Sequence, residues 1–156
     1  MSFCWNTGIT RCLSSFVVIP SEVDLQTVRQ RSPFLLLCVL TASLEHDFAL
    51  QESLEALVRQ EIAHRLIMKV ERNLDLLQGL LVHAAWYHYH WKTYHTHMYM
   101  VLQMAIMVVV DLGLDKEEGF RMQVISREGK ETNQVSHSAS GQRALLGYYY
   151  LCSKYV

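Results

Sequence analysis

The chain has 156 residues, of which 51% are hydrophobic and 19% charged, and its formal net charge at pH 7 is -1. This length and apolar content allow the chain to bury the core of one domain. The near-neutral charge excludes a generally basic surface of the kind that binds nucleic-acid phosphates unaided.

The cysteines and the first residues of the chain indicate an intracellular protein with reduced thiols. The four cysteines are scattered, at Cys4, Cys12, Cys38 and Cys152. They form no Cys-x2-Cys pair, which half of a zinc site requires, and no dense disulfide framework. Residues 1–15 form an unpatterned arm in which polar residues interrupt every apolar run, so no secretory signal is predicted.

Helix signals appear early in the chain. The β-branched run Phe16 to Pro20 suits an extended segment that lies in a groove of the domain. A short helix is predicted over residues 24–31. Ser32 as N-cap and Pro33 at the first helical position then predict the start of a longer helix, which runs to about His46.

The next predicted helix covers residues 48–70 and is amphipathic. Glu55 with Arg59, and Glu61 with Arg65, are predicted ion pairs four residues apart, each worth about 0.2–0.5 kcal/mol. The apolar face makes the larger contribution to stability. It consists of Leu54, Leu57, Val58, Ile62 and Leu66.

A third long helix is predicted from Asn73, its N-cap, to about His90, with Asp75 placed favourably near the positive end of the helix dipole. Thr93 is the predicted N-cap of the following helix. Residues 98–110 of that helix are apolar on nearly all sides, so we expect it to be central in the fold.

Residues 98–110 are too few for the roughly 20 apolar residues of a membrane span. The methionines Met100, Met104 and Met107 widen the apolar face, and their helical spacing favours core packing over a ligand pocket. Gly113 suits the left-handed residue that ends many helices.

The last part of the chain begins with a polar segment, residues 115–142, whose composition predicts a solvated loop. A final helix is predicted from about Ser140 to the end. The sequence therefore predicts an all-α fold of about five helices, with a polar loop before the last.

A cluster of histidines and aromatic residues is the strongest candidate for metal chemistry, because imidazole is a common metal ligand. Histidines two residues apart on a helix point roughly 200° away from each other, and those seven apart are separated by about 10 Å. No Asp or Glu occurs between Asp75 and Asp111. The spacing therefore favours aromatic packing. The alternative, a helical metal- or ligand-binding protein, would use His83, His88, His90, His95 and His97.

No pattern indicates an enzyme. The sequence has no Gly-x-Ser-x-Gly elbow and no glycine-rich phosphate loop. Cys38 and Cys152 lie in apolar helical contexts, which favour small buried thiols over reactive ones. We predict no catalytic, cofactor-binding or metal-binding residues in this chain.

Several sequence blocks together resemble the middle homology region of fungal zinc binuclear cluster transcription factors, over most of residues 16–153. The order of the blocks is more specific than any one of them. In chain order they are Phe16 to Pro20, Pro33 to Leu37, Leu74 to Leu81, Ala85 to His90, Leu102 to Ile106, Val110 to Leu114 and Arg143 to Leu151.

The resemblance implies a helical regulatory domain over residues 16–156, in a nuclear protein that modulates transcription by RNA polymerase II. It implies transcriptional coregulators or a second copy of the chain as partners, together with a small-molecule effector, and no membrane. Zinc and DNA contact would belong to a zinc-cluster domain, whose six-cysteine pattern these residues lack. The chain is accordingly expected to be truncated, and a non-functional gene product is the remaining hypothesis.

Overall fold

The computed structural model describes residue 17 and residues 25–44, 47–87, 95–115 and 138–155. All regular secondary structure in these residues is helical, which confirms the predicted all-α class. The α-helices are α1 (Leu25–Arg31), α2 (Pro33–Ser43), α3 (Phe48–Ile62), α4 (Leu74–Tyr87), α5 (His95–Asp111) and α6 (Ala139–Tyr155). None of these helices has both the length and the apolarity needed to cross a membrane.

Helix α4 lies at the centre of the fold. It packs against α2, α5 and α6, while α2 also contacts α1 and α3. Its buried residues surround most of the helix circumference, which is the pattern of a helix with neighbours on several sides. Those with no exposed surface are Leu76, Leu77, Leu80, Leu81 and Val82.

The prediction that α5 would be the central helix is wrong. One face of α5 is buried, including Val101, Ala105 and Val108. The opposite face is apolar and exposed, because the described elements that contact α5, namely α4 and α6, cover only one side. The exposed residues are Tyr99, Met100, Ile106, Met107 and Val110.

Two predicted helix starts are confirmed. The backbone N–H of Leu76 donates to Asn73 Oδ1 at 2.8 Å, so Asn73 caps α4. Helix α6 begins at Ala139, close to the predicted Ser140, and Ser138 Oγ accepts from the backbone N–H of Gly141 at 3.0 Å. Each cap satisfies an N–H that has no partner within the helix.

Gly113 ends α5 as predicted, with φ of +66°. The N–H of Gly113 donates to the Val110 carbonyl, and the N–H of Leu114 donates to the Val109 carbonyl. These two bonds form a Schellman motif, for which glycine is favoured because a Cβ is strained at this φ.

Several predictions fall on residues outside the described ranges. These are the N-terminal arm, the cap at Thr93 and most of the polar loop, residues 116–137. Of the run Phe16 to Pro20, only Val17 is described, and it is buried. The domain boundaries stay a prediction.

The predicted helix over residues 48–70 is divided, with α3 followed by a π-helical segment, Ala63–Met68. The ion pair between Glu55 and Arg59 is confirmed at 3.8 Å. The prediction of an ion pair between Glu61 and Arg65 is wrong. The wider π turn changes the direction of Arg65, which pairs with Glu71 and Asp75 instead.

The predicted apolar face of this helix is correct in its C-terminal half. Val58, Ile62 and Leu66 are buried. Leu54 is half-buried. Leu57 is 40% exposed, so its placement in the buried face is wrong.

Helix α2 approaches α4 most closely at Gly79. A Cβ at this position would lie 2.5 Å from Phe34 Cε1 and 3.4 Å from Cys38 Sγ. Phe34 and Cys38 are themselves buried, so neither can move into solvent without opening the core. The absence of a side chain at residue 79 therefore sets the distance between the two helices.

We predict that Gly79→Ala lowers the free energy of unfolding by about 1–2 kcal/mol, because the overpacking exceeds the gain in helix propensity. The measurement is chemical denaturation of the purified chain. In a Phe34→Leu background the same substitution should cost much less, since the ring that it meets is gone. An equal loss in both backgrounds would contradict the proposed contact.

Candidate functional site

Asp75 holds the start of α2 although it belongs to α4. Its carboxylate is 9% exposed and accepts the backbone N–H of Leu35 at 2.8 Å and that of Phe34 at 3.3 Å. Ser32 occupies the N-cap position before Pro33, as predicted, but its side chain makes no capping hydrogen bond. A carboxylate at this place also interacts favourably with the helix dipole.

The N-terminal amides of α2 are therefore all accounted for. The N–H of Ser32 donates to the Val28 carbonyl, and the N–H of Leu36 donates to the Ser32 carbonyl. Proline at residue 33 has no N–H. The two amides that remain are those bound by Asp75.

Arg65 completes this arrangement from the π-helical segment. Its Nη1 donates to Asp75 Oδ2 at 3.1 Å, and its Nε donates to Glu71 Oε2 at 2.7 Å. The guanidinium also lies over the ring of Phe34, 5.8 Å from the centroid. We call Asp75, Arg65 and Glu71, with the first turn of α2, the Asp75 network.

The charge on Arg65 is stabilised within the Asp75 network. Burial by itself lowers the pKa of the Arg65 guanidinium, but hydrogen bonds from Arg65 to Glu71 and Asp75 outweigh it, and the net shift of the pKa is upward. Both carboxylates also favour the charged form through their negative charge. Arg65 is therefore a permanent cation held between two acids.

Arg72 connects the π-helical segment to the end of α5. Its Nε donates to Asp111 Oδ2 at 2.5 Å, and its Nη1 donates to the carbonyl oxygens of Glu71 and Leu66 at 2.8 and 3.1 Å. Asp111 is about half exposed, so solvent screens this pair. Its main effect is to fix the position of the chain between α3 and α4.

A strained residue lies in this connection. Val70 has φ of +55°, in the left-handed region that a β-branched residue rarely adopts. The turn allows the backbone N–H of Glu71 to donate to the Arg65 carbonyl at 2.9 Å, which brings both residues into the Asp75 network. Backbone strain and π turns are both enriched at functional sites, so residues 63–71 are a candidate regulatory segment.

His83, from the predicted histidine cluster, lies in the core. It is 2% exposed. Burial lowers its pKa to about 4, while the nearby charge of Glu55 opposes this shift and those of Arg59 and His97 add to it. The imidazole is therefore neutral at pH 7, between residues of α3 and α5.

Among the residues proposed as metal ligands, the structure brings His83 near His97. His88 and His90 lie outside the described residues, and only the backbone of His95 is described. No group of three or more His, Cys, Asp or Glu that could hold a metal occurs in the described part of the chain.

Two predictions about sulfur-containing side chains need correction. Met100 and Met107 are exposed, so they do not pack in the core, whereas Met104 packs against it. Cys152 is only half-buried. Cys38 is buried as predicted, and burial together with the charge of Asp75 raises its thiol pKa, which makes it unreactive.

Comparison with known proteins finds two relatives. The chain is 35% identical to transcription factor himD of Aspergillus japonicus over 140 residues, which are 88% of this chain and 23% of that protein. It is 36% identical to transcription factor opdL of Penicillium oxalicum over 98 residues, 63% of this chain and 17% of that protein. The chain resembles part of a fungal transcription factor.

These relatives confirm the predicted resemblance to a fungal transcription factor. The chain spans less than a quarter of the length of either relative. No protein-family model matches it, and no solved structure matches it significantly.

Sequence reasoning missed the roles of Arg65, Asp75 and Gly79. A signal was present, since Asp75 is the single acid in the mostly apolar segment Leu74 to Ala85. A buried carboxylate requires a partner, so this isolated acid indicates a cation or free amides nearby. The sequence does not show which arginine or which helix end supplies them.

We predict that Asp75→Asn lowers the free energy of unfolding by about 2–4 kcal/mol, because Arg65 and one amide of α2 lose their acceptor. Glu71→Gln is the matched control, since it also neutralises a partner of Arg65 but at a more exposed position. It should cost about 1 kcal/mol or less. Equal losses in the two variants would contradict a central role for Asp75.

We predict that His83 makes the chain sensitive to mild acid. Its pKa is about 4 in the folded chain and about 6.5 in the unfolded chain, so the unfolded chain binds the proton more readily between these values. The contribution of neutral His83 to the free energy of unfolding is therefore complete above pH 6.5 and is lost as the pH falls towards 4. The free energy of unfolding should be lower by about 2 kcal/mol at pH 5.

The measurement is denaturant unfolding at pH 7 and pH 5. His83→Gln should remove about 2 kcal/mol of the difference between the two pH values, whereas His64→Gln, at an exposed position, should leave it unchanged. The same pH dependence in wild type and His83→Gln would refute the role of His83.

Proposed function

We propose that this chain is the middle homology region of a fungal zinc-cluster transcription factor, and that it modulates transcription by RNA polymerase II in the nucleus. The observation that carries the proposal is the 35% identity to transcription factor himD over 88% of the chain. The blocks that resemble the middle homology region also extend over most of residues 16–153, in the expected order.

The structure supports a role through binding and conformation. The block Leu74 to Leu81 forms the centre of the core, with Asp75 and Gly79 joining α4 to α2. This block therefore builds a scaffold, and the exposed apolar side chains of α5 give that scaffold a surface for protein contacts.

DNA contact and zinc binding belong, in this proposal, to a zinc-cluster domain. The 156 residues contain no Cys-x2-Cys pair, and their formal net charge of -1 gives no general attraction to phosphate. Coregulators, a second copy of the chain or a small-molecule effector would then act on the helical region. The effect on transcription would follow from a change in the contacts that the helical region makes.

The test is a reporter assay in a fungal host. The chain is fused to an unrelated DNA-binding domain, alone and with an unrelated activation domain, and reporter output is compared with the same fusions lacking the chain. We expect a change of several-fold in at least one format. The Asp75→Asn fusion controls for folding and should reduce that change.

Protein amount and nuclear location are measured by immunoblotting and by microscopy of a fluorescent tag. Unchanged reporter output in both formats, with the fusion proteins present in the nucleus at equal amounts, would overturn the proposed regulatory role.

A further inference from the structure

Ser32 is the only serine or threonine in the 156 residues that a proline follows, because the two prolines are Pro20, after Ile19, and Pro33. A serine followed by proline is the dipeptide that proline-directed protein kinases recognise. Ser32 lies between the end of α1 and the start of α2, where its side chain is partly exposed and Pro33 is exposed. Both residues of the dipeptide are therefore at the surface.

The hydroxyl of Ser32 has no role in holding the fold. A serine at the N-cap ordinarily accepts the amide of the second or third helical residue, which here are Phe34 and Leu35. Both of these amides donate to Asp75 instead. The Ser32 hydroxyl makes no capping hydrogen bond and has no other partner among the described residues. The carboxylate of Asp75 therefore takes the place of the Ser32 hydroxyl, which stays available for modification.

The residues around Ser32 favour an anion. Arg29 and Arg31, in the last turn of α1, are exposed, and neither forms an ion pair with a described residue. Helices α1 and α2 contain no Asp or Glu. A phosphate on Ser32 would therefore have two guanidinium groups next to it in the chain, and arginine binds phosphate through paired hydrogen bonds.

Helix α1 can open to admit a kinase. It has seven residues and packs chiefly against α2. A helix this short is not stable in water by itself, and a segment with few buried contacts opens at low cost in free energy. Residues up to Pro33 can therefore become extended on a kinase while Phe34 stays buried in the core.

We propose that Ser32 is a phosphorylation site of a proline-directed protein kinase, and that its phosphate competes with Asp75 for the amides of Phe34 and Leu35. In the reaction Ser32 Oγ forms a bond to the γ-phosphorus of ATP. The bond from this phosphorus to the β,γ-bridging oxygen breaks, ADP leaves, and the hydroxyl proton passes to the base of the kinase. The product carries a charge of about −1.5 to −2 at the start of α2.

The competition weakens the connection between α2 and α4. The phosphate belongs to the N-cap residue, so its oxygens reach the two amides from within the same helix. Its negative charge also repels the carboxylate of Asp75, which keeps Arg65 as a partner. Helix α2 stays capped but loses the hydrogen bonds that join it to α4. The modification goes beyond the transcriptional role proposed above and does not rest on it.

The first experiment tests the modification itself. The folded chain is incubated with a purified proline-directed kinase and ATP, and the added phosphate is measured by mass spectrometry of the intact chain and of its peptides. We expect a single phosphate, on Ser32. Ser32→Ala should abolish incorporation, and Pro33→Ala, which keeps the hydroxyl, should slow it roughly tenfold or more.

Urea unfolding checks that these variants are folded. Ser32→Ala should unfold at the same urea concentration as the wild type, because the Ser32 side chain caps no amide. A loss of stability of the size expected for an N-cap serine would contradict the assignment of these amides to Asp75.

The second experiment tests the competition with Asp75. Phosphorylation should lower the urea midpoint of the wild type and should shift the amide resonances of Phe34 and Leu35 together with the carboxyl carbon resonance of Asp75. In an Asp75→Asn background the midpoint should fall less, since the competing carboxylate is gone. Glu71→Gln is the matched control, because it keeps Asp75 and should show the full effect. The resonance shifts provide the test in the wild type even if Asp75→Asn does not fold.

Three outcomes would overturn the proposal. No incorporation into the folded chain, under conditions in which a peptide of residues 26–36 is phosphorylated, would show that the fold withholds Ser32. Equal incorporation in Ser32→Ala would assign the phosphate to another residue. Phosphorylation of Ser32 that leaves the midpoint and the resonances of Phe34, Leu35 and Asp75 unchanged would separate the modification from the Asp75 network.

Discussion

The carboxylate of Asp75 is the interaction on which the rest of this structure depends. It accepts both first-turn amides of α2 that have no other partner, and it pairs with Arg65. Leaving a buried amide without an acceptor costs about 1–3 kcal/mol, and a buried charge without a partner costs more. Helix α2 can begin where it does because α4 supplies this side chain, so the two helices stabilise each other.

The neighbouring features follow from that arrangement. Phe34, whose amide Asp75 holds, packs on Gly79 one turn further along α4 and lies beneath the guanidinium of Arg65. The π turn directs Arg65 towards this site, and the strained Val70 returns the chain so that Glu71 reaches Arg65. The strain is retained because a buried charge pair would otherwise be incomplete.

Much of the fold could be predicted because helix periodicity and capping residues are local signals, as at Asn73 and Gly113. The cap of α2 by Asp75 could not be predicted, because Phe34 and Leu35 lie 41 and 40 residues before Asp75 in the chain. Apolar periodicity also does not show which face of a helix packs against a neighbour, which is why the apolar sequence of α5 wrongly predicts a central helix. Spacing did place His83 among structural residues, and its burial agrees with that interpretation.

A regulatory region of the kind proposed needs a rigid scaffold, and the Asp75 network supplies that rigidity. Native-state amide hydrogen exchange tests this most directly. If Asp75 holds the amides of Phe34 and Leu35, they will exchange as slowly as the amides in the middle of α4, by opening of the whole fold. Fast exchange at these two residues, as in an uncapped first turn, would contradict the central place given to Asp75.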